Sequence, residues 1–389
     1  MPTPLNFAFL RNEPAPPNGR GVAILGAGPC GLFAAGYLAC LGYQVDVYDK
    51  LPKAGGLMVF GIPSFRLPAG RIEAGARRLE RQYGVNFNLR TKICCSAPLH
   101  EEAGDHFSAD MRSLGELVDR HDAVMVCTGS WRSRRMRIPG EDLPGVLSGL
   151  EFLFPIRAAR FGAPGVKAPD VAGKAVAVVG AGHSAIDVVQ SALKLGAAKV
   201  TLVYRRTTRE APCGSFEIGR VRALGAEWRE LATPVRVLGV GRVEGLEILQ
   251  CRLGDPDEHG RRCPIPEQGA TEVIPCDMVV AAIGEVPTPP FPKELGLENV
   301  KQGDVRWLHM TRIPNVFVAG DALTGPSKIG KAVYSGLRAA RSLANWLDLK
   351  ALNREAEFHD DLVHKNGQAG QTGRTEEAGK TGPAGGGHG

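Results

Sequence analysis

Three closely spaced glycines near the start of the chain form a pattern that binds phosphate groups. In GAGPCG, Gly26 permits a sharp turn, Gly28 lets the backbone approach a pyrophosphate, and Gly31 allows a helix to pack closely on a strand. A helix that begins here directs its free amide groups and positive dipole end at the phosphates. Asp49 follows Gly31 by eighteen residues, where a carboxylate accepts hydrogen bonds from both ribose hydroxyls. The pattern predicts a dinucleotide whose ribose lacks a 2′-phosphate.

A second glycine turn, GAGHSA, stands 154 residues further along the chain. Alanine replaces the third glycine here, which is typical of units that bind NADPH. No acidic residue ends the strand that follows. It ends instead at Arg205 and Arg206, and arginine is the natural bidentate partner of a 2′-phosphate. This favours NADPH, but it does not exclude NADH, because arginines tolerate an unphosphorylated ribose.

Both turns lie in the same repeating unit of strand, helix and strand. The apolar pattern predicts strands at Val22–Leu25 and Gln44–Tyr48 around the first turn. Around the second it predicts strands at Ala175–Val179 and Lys199–Tyr204, with a helix at Ser184–Leu195. Each turn is therefore expected at the carboxyl end of a parallel strand.

Other apolar segments predict the remaining elements of both units. We expect a strand at Asn86–Ile93, an alternating stretch around Val235–Cys251, and strands at Met278–Ile283 and Val316–Ala319. A helix is expected from about Ser327 to Leu347. The proline-rich start predicts an irregular arm, and the apolar-poor end predicts disorder.

Three segments resemble one known family. Residues 52–68 (PKAGGLMVFGIPSFRLP) closely resemble the segment after the FAD fingerprint in the glutamate synthase small-subunit family, which binds FAD and NADPH. IPGEDLPGVLSGLEFL at 138–153 and VCTGS at 126–130 agree, and the resemblance covers roughly residues 21–348. It implies an α/β flavoprotein with two interleaved Rossmann-like dinucleotide-binding domains. The expected division is an arm at 1–20, an FAD domain at 21–150 and 285–350, an NAD(P)H domain at 151–284, and a tail at 351–389, disordered from about 366.

The motifs and the resemblance together predict two sets of cofactor-binding residues. In the late segment VFVAGD, the resemblance implies that Asp321 contacts the flavin ribityl and pyrophosphate region. His183 replaces the asparagine usual in the family, and a lone histidine at a helix start is more often a cap or phosphate neighbour than an acid–base catalyst. The predicted FAD residues are Gly26, Gly28, Pro29, Cys30, Gly31, Asp49, Lys50, Gly56, Leu57, Ile62, Arg66, Ile93, Thr128, Gly129, Gly320, Asp321, Lys328 and Ile329; the predicted NAD(P)H residues are Gly180, Gly182, His183, Ser184, Ala185, Arg205, Arg206, Ala282 and Gly284.

Lys328 and Ile329 replace the threonine–valine pair usual in the family at the start of the late helix. The amides of that helix would point at the flavin edge where negative charge collects on reduction. A lysine there would raise the two-electron potential of the flavin, whereas the alternative is a surface lysine on the first turn.

The resemblance implies hydride transfer between nicotinamide and flavin, for which no catalytic acid or base is required. The redox dithiols CxxxxC and CxxC of disulfide reductases are missing, and only about twenty residues precede the first strand, where the family carries an iron–sulfur domain. We therefore expect an electron-transfer subunit that works with an iron–sulfur partner, a ferredoxin-like protein or the catalytic subunit of a larger oxidoreductase. A self-contained reductase of a small acceptor and a scaffold protein that retains FAD remain alternatives.

Composition further limits the classes of protein to which this chain could belong. The nine cysteines include no CxxC pair, so a structural metal or cluster is not expected, and the odd count suits a reducing compartment. The net charge of +6 is too modest to favour nucleic-acid binding. The sequence contains no apolar run long enough to predict a membrane span or a signal peptide. We therefore expect a cytoplasmic protein. Two arginine groups, at 77, 78 and 81 and at 132, 134, 135 and 137, are a candidate docking patch for an acidic partner.

Overall fold

The computed structural model describes residues 3–94, 102–161, 166–257, 260–286, 291–297 and 311–358. Its strands are β1 (Gly21–Leu25), β2 (Gln44–Asp49), β3 (Asn86–Leu89), β4 (Thr91–Ile93), β5 (Asp110–Arg112), β6 (Ala123–Val126), β7 (Arg132–Ser133), β8 (Val146–Ser148), β9 (Ala175–Val179), β10 (Lys199–Val203), β11 (Glu227–Arg229), β12 (Ala232–Leu238), β13 (Gly245–Pro256), β14 (Arg262–Pro275), β15 (Met278–Ala281), β16 (Glu285–Val286) and β17 (Val316–Val318). Its α-helices are α1 (Pro29–Cys40), α2 (Leu57–Phe60), α3 (Ala69–Tyr83), α4 (Leu114–Arg120), α5 (Gly149–Ala158), α6 (His183–Lys194), α7 (Ser215–Ala223), α8 (Pro292–Leu295), α9 (Asp321–Thr324) and α10 (Ile329–Ala351).

The first glycine turn follows the central strand of a parallel sheet ordered β17-β6-β1-β2-β3. Strands β17, β6 and β1 are apolar on both faces because helices cover both: α1 and α10 pack together on one side, while α4 and α8 contribute Leu117 and Leu295 to the core on the other. The turn therefore sits at the carboxyl end of a fully buried strand.

The second glycine turn has the same position in a parallel sheet ordered β11-β10-β9-β15-β8. Strand β8 precedes the boundary predicted at residue 150, yet it pairs with β15 of this second sheet. The next helix, α5, is shared between the cores, since Phe154 packs in the first and Phe152 in the second. The expected α/β fold with two interleaved Rossmann-like units is confirmed.

Two features join the units and extend the second. Strand β7 leaves the first unit and pairs antiparallel with β16, which leaves the second, so the two crossing segments support each other. Strands β12, β13 and β14 form an antiparallel sheet in which β13 and β14 make a long hairpin.

The predicted strand Asn86–Ile93 was wrong as one element. Arg90 adopts a left-handed conformation with φ of 57°, which ends β3 and starts β4 in a different direction. β3 then pairs with β2, whereas β4 pairs with β5. Periodicity could not detect the break, because apolar alternation continues through it.

The N-terminal arm, which composition predicted to be irregular, contributes buried side chains to the first core. Phe7 is 1% exposed and belongs to the first core. Its backbone passes so close to α1 and α3 that a Cβ at Gly36 or Gly75 would overlap carbonyl oxygens of the arm. The predicted disorder from about residue 366 lies outside the described residues, and Phe358 packs against Trp346 at a ring distance of 5.3 Å. Among the described helices, none is long and apolar enough to cross a membrane.

Candidate functional site

The glycines of the first turn occupy three different environments. Gly26 has φ of 104°, and a Cβ there would lie 2.5 Å from the Cys127 carbonyl oxygen. A Cβ at Gly31 would overlap the carbonyl oxygen of Gly26. A Cβ at Gly28 would meet no atom within 4 Å. Gly26 and Gly31 are therefore required by the fold, while Gly28 borders open space.

The start of α1 is built to receive an anion. Gly28 caps it without a side-chain hydrogen bond, and no acidic residue lies in its first turn. By contrast, α4 and α5 begin with complete capping boxes, in which Ser113 and Ser148 accept hydrogen bonds from backbone amides. Among these helices, α1 leaves its amides open to the space that Gly28 borders, which fits a pyrophosphate.

Predicted FAD residues from distant parts of the sequence meet at this turn. A Cβ built on Gly56 would lie 3.0 Å from the Cα of Gly28, so the second glycine segment touches the first. A Cβ on Gly320 would lie 3.0 Å from the sulfur of Cys30. The structure therefore brings the early fingerprint, the segment after it and the late Gly–Asp segment together.

Thr128 carries an unsatisfied group beside the turn. Its Oγ1 is buried and has no hydrogen-bond partner, although its carbonyl accepts a bond from Trp131 Nε1 at 2.7 Å. Gly129 follows with φ of 79°, so this turn also requires a glycine. A buried hydroxyl without a partner is costly unless a ligand satisfies it, and this also fits a bound dinucleotide.

Asp49 already holds backbone amides. Its Oδ2 accepts from Ala27 N at 2.6 Å and its Oδ1 from Leu51 N at 2.8 Å. Burial raises the pKa of its carboxyl group, and the two amides oppose that rise. The carboxylate has lone pairs left over, so its contact with a ribose stays a prediction.

Lys50 is held in an ion cluster that the sequence did not indicate. Its Nζ lies 3.0 Å from Glu102, 2.9 Å from Asp105 and 4.2 Å from the centre of the Trp131 ring. Asp105 also pairs with Lys92 at 2.7 Å. These partners are far from Lys50 in sequence, so no local signal revealed them. Ile93, also predicted, packs against the first sheet.

Asp321 faces the start of α10. Its carboxylate accepts from the hydroxyl of Ser327 at 2.5 Å and from its backbone amide at 3.1 Å, and burial raises its pKa. Ser130 donates to the Asp321 carbonyl at 2.6 Å. Lys328 is the exposed N-cap of α10, with no side-chain hydrogen bond, so the helix begins at Ile329 rather than at Ser327.

The segment from α2 onward reaches the second unit. Ile62 donates to the carbonyl of Leu57 at 2.8 Å, which folds this segment back on α2. The guanidinium of Arg66 forms ion pairs with Asp187 of α6 and Glu217 of α7. Burial raises the pKa of Asp187 to about 6 despite the arginine. Arg66 therefore bridges the two units, and its predicted position near the flavin stays untested.

The second turn repeats the geometry of the first. Gly180 has φ of 125° and faces the carbonyl of Ala282, while a Cβ at Gly182 would meet no atom within 4 Å. Helix α6 has no side-chain cap and no acidic residue in its first turn. His183 and Ser184 are exposed and Ala185 is buried. This turn is also open to a phosphate.

The two arginines after β10 differ in environment. Arg205 is exposed and makes no hydrogen bond or ion pair with any described residue. Arg206 is 5% exposed; its Nε donates to the carbonyl of Arg262 at 2.6 Å and its Nη2 lies 3.4 Å from Asp257. The β13–β14 hairpin therefore encloses one arginine of the pair, a contact that sequence spacing could not reveal.

Gly284 lies at the crossing between the units. Its φ is 97°, and the Arg134 guanidinium donates to the next carbonyl, that of Glu285, at 3.2 Å. Burial, with Asp321 nearby, raises the pKa of the Glu285 carboxyl group. No motif singled out this half-buried acid, because its environment comes from the crossing itself.

Two described thiols lie close together. The sulfur atoms of Cys30 and Cys127 are 3.3 Å apart, and each residue is 4% exposed. The hydrogen bond between them and burial raise the pKa of Cys30 well above its usual value. Thiolates are the reactive form, so the pair lacks the accessibility of a dithiol reductase centre, and the raised pKa of Cys30 disfavours its thiolate.

Comparison with known proteins places these features in a family. The family model described as pyridine nucleotide-disulphide oxidoreductase matches residues 20–336. The chain belongs to this family. It is an FAD-dependent NAD(P)H oxidoreductase, with FAD and NADP(H) as cofactors, as the glycine turns and the late Gly–Asp segment predicted.

Its relatives include redox subunits. It is 37% identical over 340 residues to the NADP(+)-dependent formate dehydrogenase subunit beta of Moorella thermoacetica, covering 85% of this chain and 44% of that protein. It is 34% identical over 337 residues to the glutamate synthase [NADPH] small chain of Halomonas elongata, covering 84% and 68%. The predicted resemblance to glutamate synthase small subunits is confirmed. The chain spans about half the length of several curated relatives it matches, among them that formate dehydrogenase subunit.

Solved structures support the fold. FprA of Mycobacterium tuberculosis in complex with NADPH superposes with a TM-score of 0.67 at 22% identity, covering 92% of this chain and 89% of FprA. Thioredoxin reductase of T. acidophilum superposes with a TM-score of 0.56 at 19% identity, covering 84% and 98%.

Proposed function

We propose that this chain is the flavoprotein unit of a larger redox system and exchanges electrons between NADPH and an iron–sulfur partner. The observation that carries the proposal is the pair of open phosphate turns, one in each of two interleaved units. Each turn combines an uncapped helix with a glycine that borders open space. When bound, the nicotinamide and the flavin supply the hydride chemistry, and the chain positions them.

This assignment gives the residues of the chain distinct roles. The amides of α1 and the hydroxyl of Thr128 hold the FAD pyrophosphate region, and Asp49 and Asp321 orient its sugar and ribityl groups. The amides of α6 hold the NADPH pyrophosphate. Exposed Arg205 favours NADPH over NADH, because a free guanidinium attracts a dianionic 2′-phosphate. Gly284, without a side chain at the crossing, permits close approach of the two rings.

A partner protein is a better electron acceptor for the reduced flavin than a thiol pair of this chain. The neighbouring thiols of Cys30 and Cys127 are buried, and the pKa of Cys30 is raised. Three relatives are named as subunits or chains of NADP-linked enzymes, which supports a partner protein for this chain. Of the two arginine groups, the one around β7 borders the crossing, where Arg134 contacts Glu285, and we assign partner docking to this group.

The test is an anaerobic titration of the FAD-loaded chain, in which flavin absorbance is followed as NADPH or NADH is added. We expect NADPH to bleach the flavin at lower concentration than NADH. Oxidation of the reduced protein is then timed with a 2Fe–2S ferredoxin, with ferricyanide and with a small quinone. Fast transfer to the ferredoxin that weakens in high salt supports the proposal.

Other outcomes point to the alternatives. Efficient turnover with the quinone and none with the ferredoxin would indicate a self-contained reductase. A flavin that neither nucleotide bleaches would indicate a scaffold. Gly182→Ala is the matched control: its Cβ meets no atom within 4 Å, so the protein should fold and keep FAD but respond weakly to NADPH.

A further inference from the structure

We infer that Arg261, on the turn of the β13–β14 hairpin, is a ligand of the NADPH 2′-phosphate, and that Arg206 is the tether that holds this turn in place. The inference rests on the proposed function and deepens it. The sequence predicted a 2′-phosphate subsite made of Arg205 and Arg206. The inferred subsite instead consists of Arg205 and Arg261, which is more than fifty positions away.

The tether is visible in the contacts of Arg206. Its Nε donates to the carbonyl oxygen of Arg262 at 2.6 Å, which fixes the first residue of β14 against the end of β10. The Arg206 side chain is 6% exposed, and its Nη2 is directed at Asp257 at 3.4 Å. A guanidinium engaged in this way has few donors left for a phosphate.

The same turn presents a second guanidinium. Asp257 accepts from the Arg261 amide at 2.9 Å and donates its own amide to the Arg261 carbonyl at 2.7 Å, which closes the turn. The Arg261 Nε lies 3.7 Å from the Asp257 carboxylate, which is also the partner of Arg206. Arg206 and Arg261 are therefore neighbours through one carboxylate, but the Arg261 side chain is 49% exposed.

Among the described residues at the end of β10, the arginines outnumber their carboxylate partners. Arg206 and Arg261 both pair with Asp257, whereas Arg205 has no ion pair with a described residue, and Glu210 accepts hydrogen bonds from Thr207. Burial raises the pKa of Tyr204, which follows β10, and Arg206, Arg205 and Arg261 all oppose that rise, so the three cations lie near one side chain. A dianionic phosphate at this place would offset the excess positive charge, and two guanidinium groups can bind it from two sides.

The experiment measures binding rather than turnover. The affinity of the oxidised FAD-loaded chain for adenosine 2′,5′-bisphosphate and for NAD⁺ is determined by calorimetry in the unaltered protein and its variants. We expect Arg261→Gln to weaken the bisphosphate by about tenfold, the size of one lost charge-assisted contact, and to leave NAD⁺ unchanged. Arg205→Gln should behave in the same way.

Two controls separate this inference from simple charge effects. Arg242→Gln removes the same charge at the other end of β13, roughly 35 Å away along the strand, and should change neither affinity. Arg206→Lys keeps the charge but loses the planar fork; it should speed amide exchange at Arg261 and weaken the bisphosphate selectively.

The inference is overturned if Arg261→Gln leaves the affinity for the bisphosphate unchanged. It is also overturned if Arg209→Gln weakens bisphosphate binding and Arg261→Gln does not. Failure of the proposed function would look different, because the unaltered protein would then show no flavin reduction by NADPH. A protein that NADPH reduces and in which Arg261→Gln has no effect would refute only the role of the hairpin.

Discussion

Arg66 and Glu217 are joined by two parallel hydrogen bonds, from Nη1 to Oε1 at 2.8 Å and from Nη2 to Oε2 at 3.1 Å. Arg66 follows α2 in the first unit and Glu217 lies in the first turn of α7 in the second. The same guanidinium pairs with Asp187 of α6, one turn below the second phosphate-binding turn. This ion triad ties the first unit to α6, the helix that we propose binds the NADPH pyrophosphate.

The triad predicts a pH dependence of stability. Burial raises the pKa of Asp187 from 3.8 to about 6, so the folded state holds its proton more tightly than the unfolded state does. Its stabilising contribution is therefore full below about pH 4 and is lost as the pH rises through 6. Asp187→Asn removes this loss. Its free energy of unfolding relative to the unaltered protein should rise by on the order of 1 kcal/mol between pH 5 and pH 7, measured by urea denaturation.

Glu217→Gln provides the matched control for this test. Arg66 lowers the pKa of Glu217, so its contribution has the opposite sign and is lost as the pH falls. Relative to the unaltered protein, Asp187→Asn should therefore gain stability as the pH rises from 5 to 7, whereas Glu217→Gln should change its relative stability only below about pH 4.5. Parallel trends would show that the two carboxyl groups do not differ as described.

The glycines of the two turns predict separable cofactor defects. Gly28→Ala should fold, because its Cβ meets no atom within 4 Å, but it should bind FAD at least roughly tenfold more weakly because the methyl group enters the pyrophosphate space. FAD retention after gel filtration measures this. Gly31→Ala should instead lower the unfolding temperature, since its Cβ overlaps the Gly26 carbonyl oxygen. Equal FAD affinity in Gly28→Ala and the unaltered protein would place the pyrophosphate elsewhere.

Lys328 at the N-cap of α10 predicts a shift of the flavin potential. Its ammonium group next to the flavin edge would stabilise the negative charge of the reduced ring, so Lys328→Thr should lower the two-electron potential by on the order of tens of mV. Lys331→Thr, one turn further and also exposed, is the control and should have a smaller effect. Spectroelectrochemical titration of the unaltered protein and the two variants measures the flavin potential. An unchanged potential in Lys328→Thr would mean that this lysine is only a surface residue.

The N-terminal arm predicts a contrast between two phenylalanines. Phe7 is 1% exposed and packs edge-on against Phe33 at 5.1 Å, so Phe7→Ala should lower the free energy of unfolding by roughly 3 kcal/mol. Phe9 is 47% exposed, and Phe9→Ala should cost less than about 1 kcal/mol. Urea unfolding of both variants measures the difference, and similar small costs would show that the arm is dispensable for the core.

The sequence by itself determined the two phosphate turns, the strands that carry them and the family. These features depend on local rules: a glycine where no side chain fits, an apolar run where both faces are buried, and a helix start without a capping side chain. Gly26, Gly28 and Gly180 therefore have the positions that their spacing predicted, and the late Gly320–Asp321 segment reaches the first turn as the family resemblance implied.

Only the tertiary structure decided how the charged residues are used. Arg66, Lys50 and Arg206 all look like free cations in the sequence, but their partners Glu217, Asp105 and Asp257 lie at least fifty positions away. The packing of helices and strands brings each charged side chain to its partner, and no local sequence pattern predicts that packing. For the same reason Arg90 divides a strand that looks continuous, and the arm around Phe7 is buried, because the groove that accepts it exists only after α1 and α3 have packed on the first sheet.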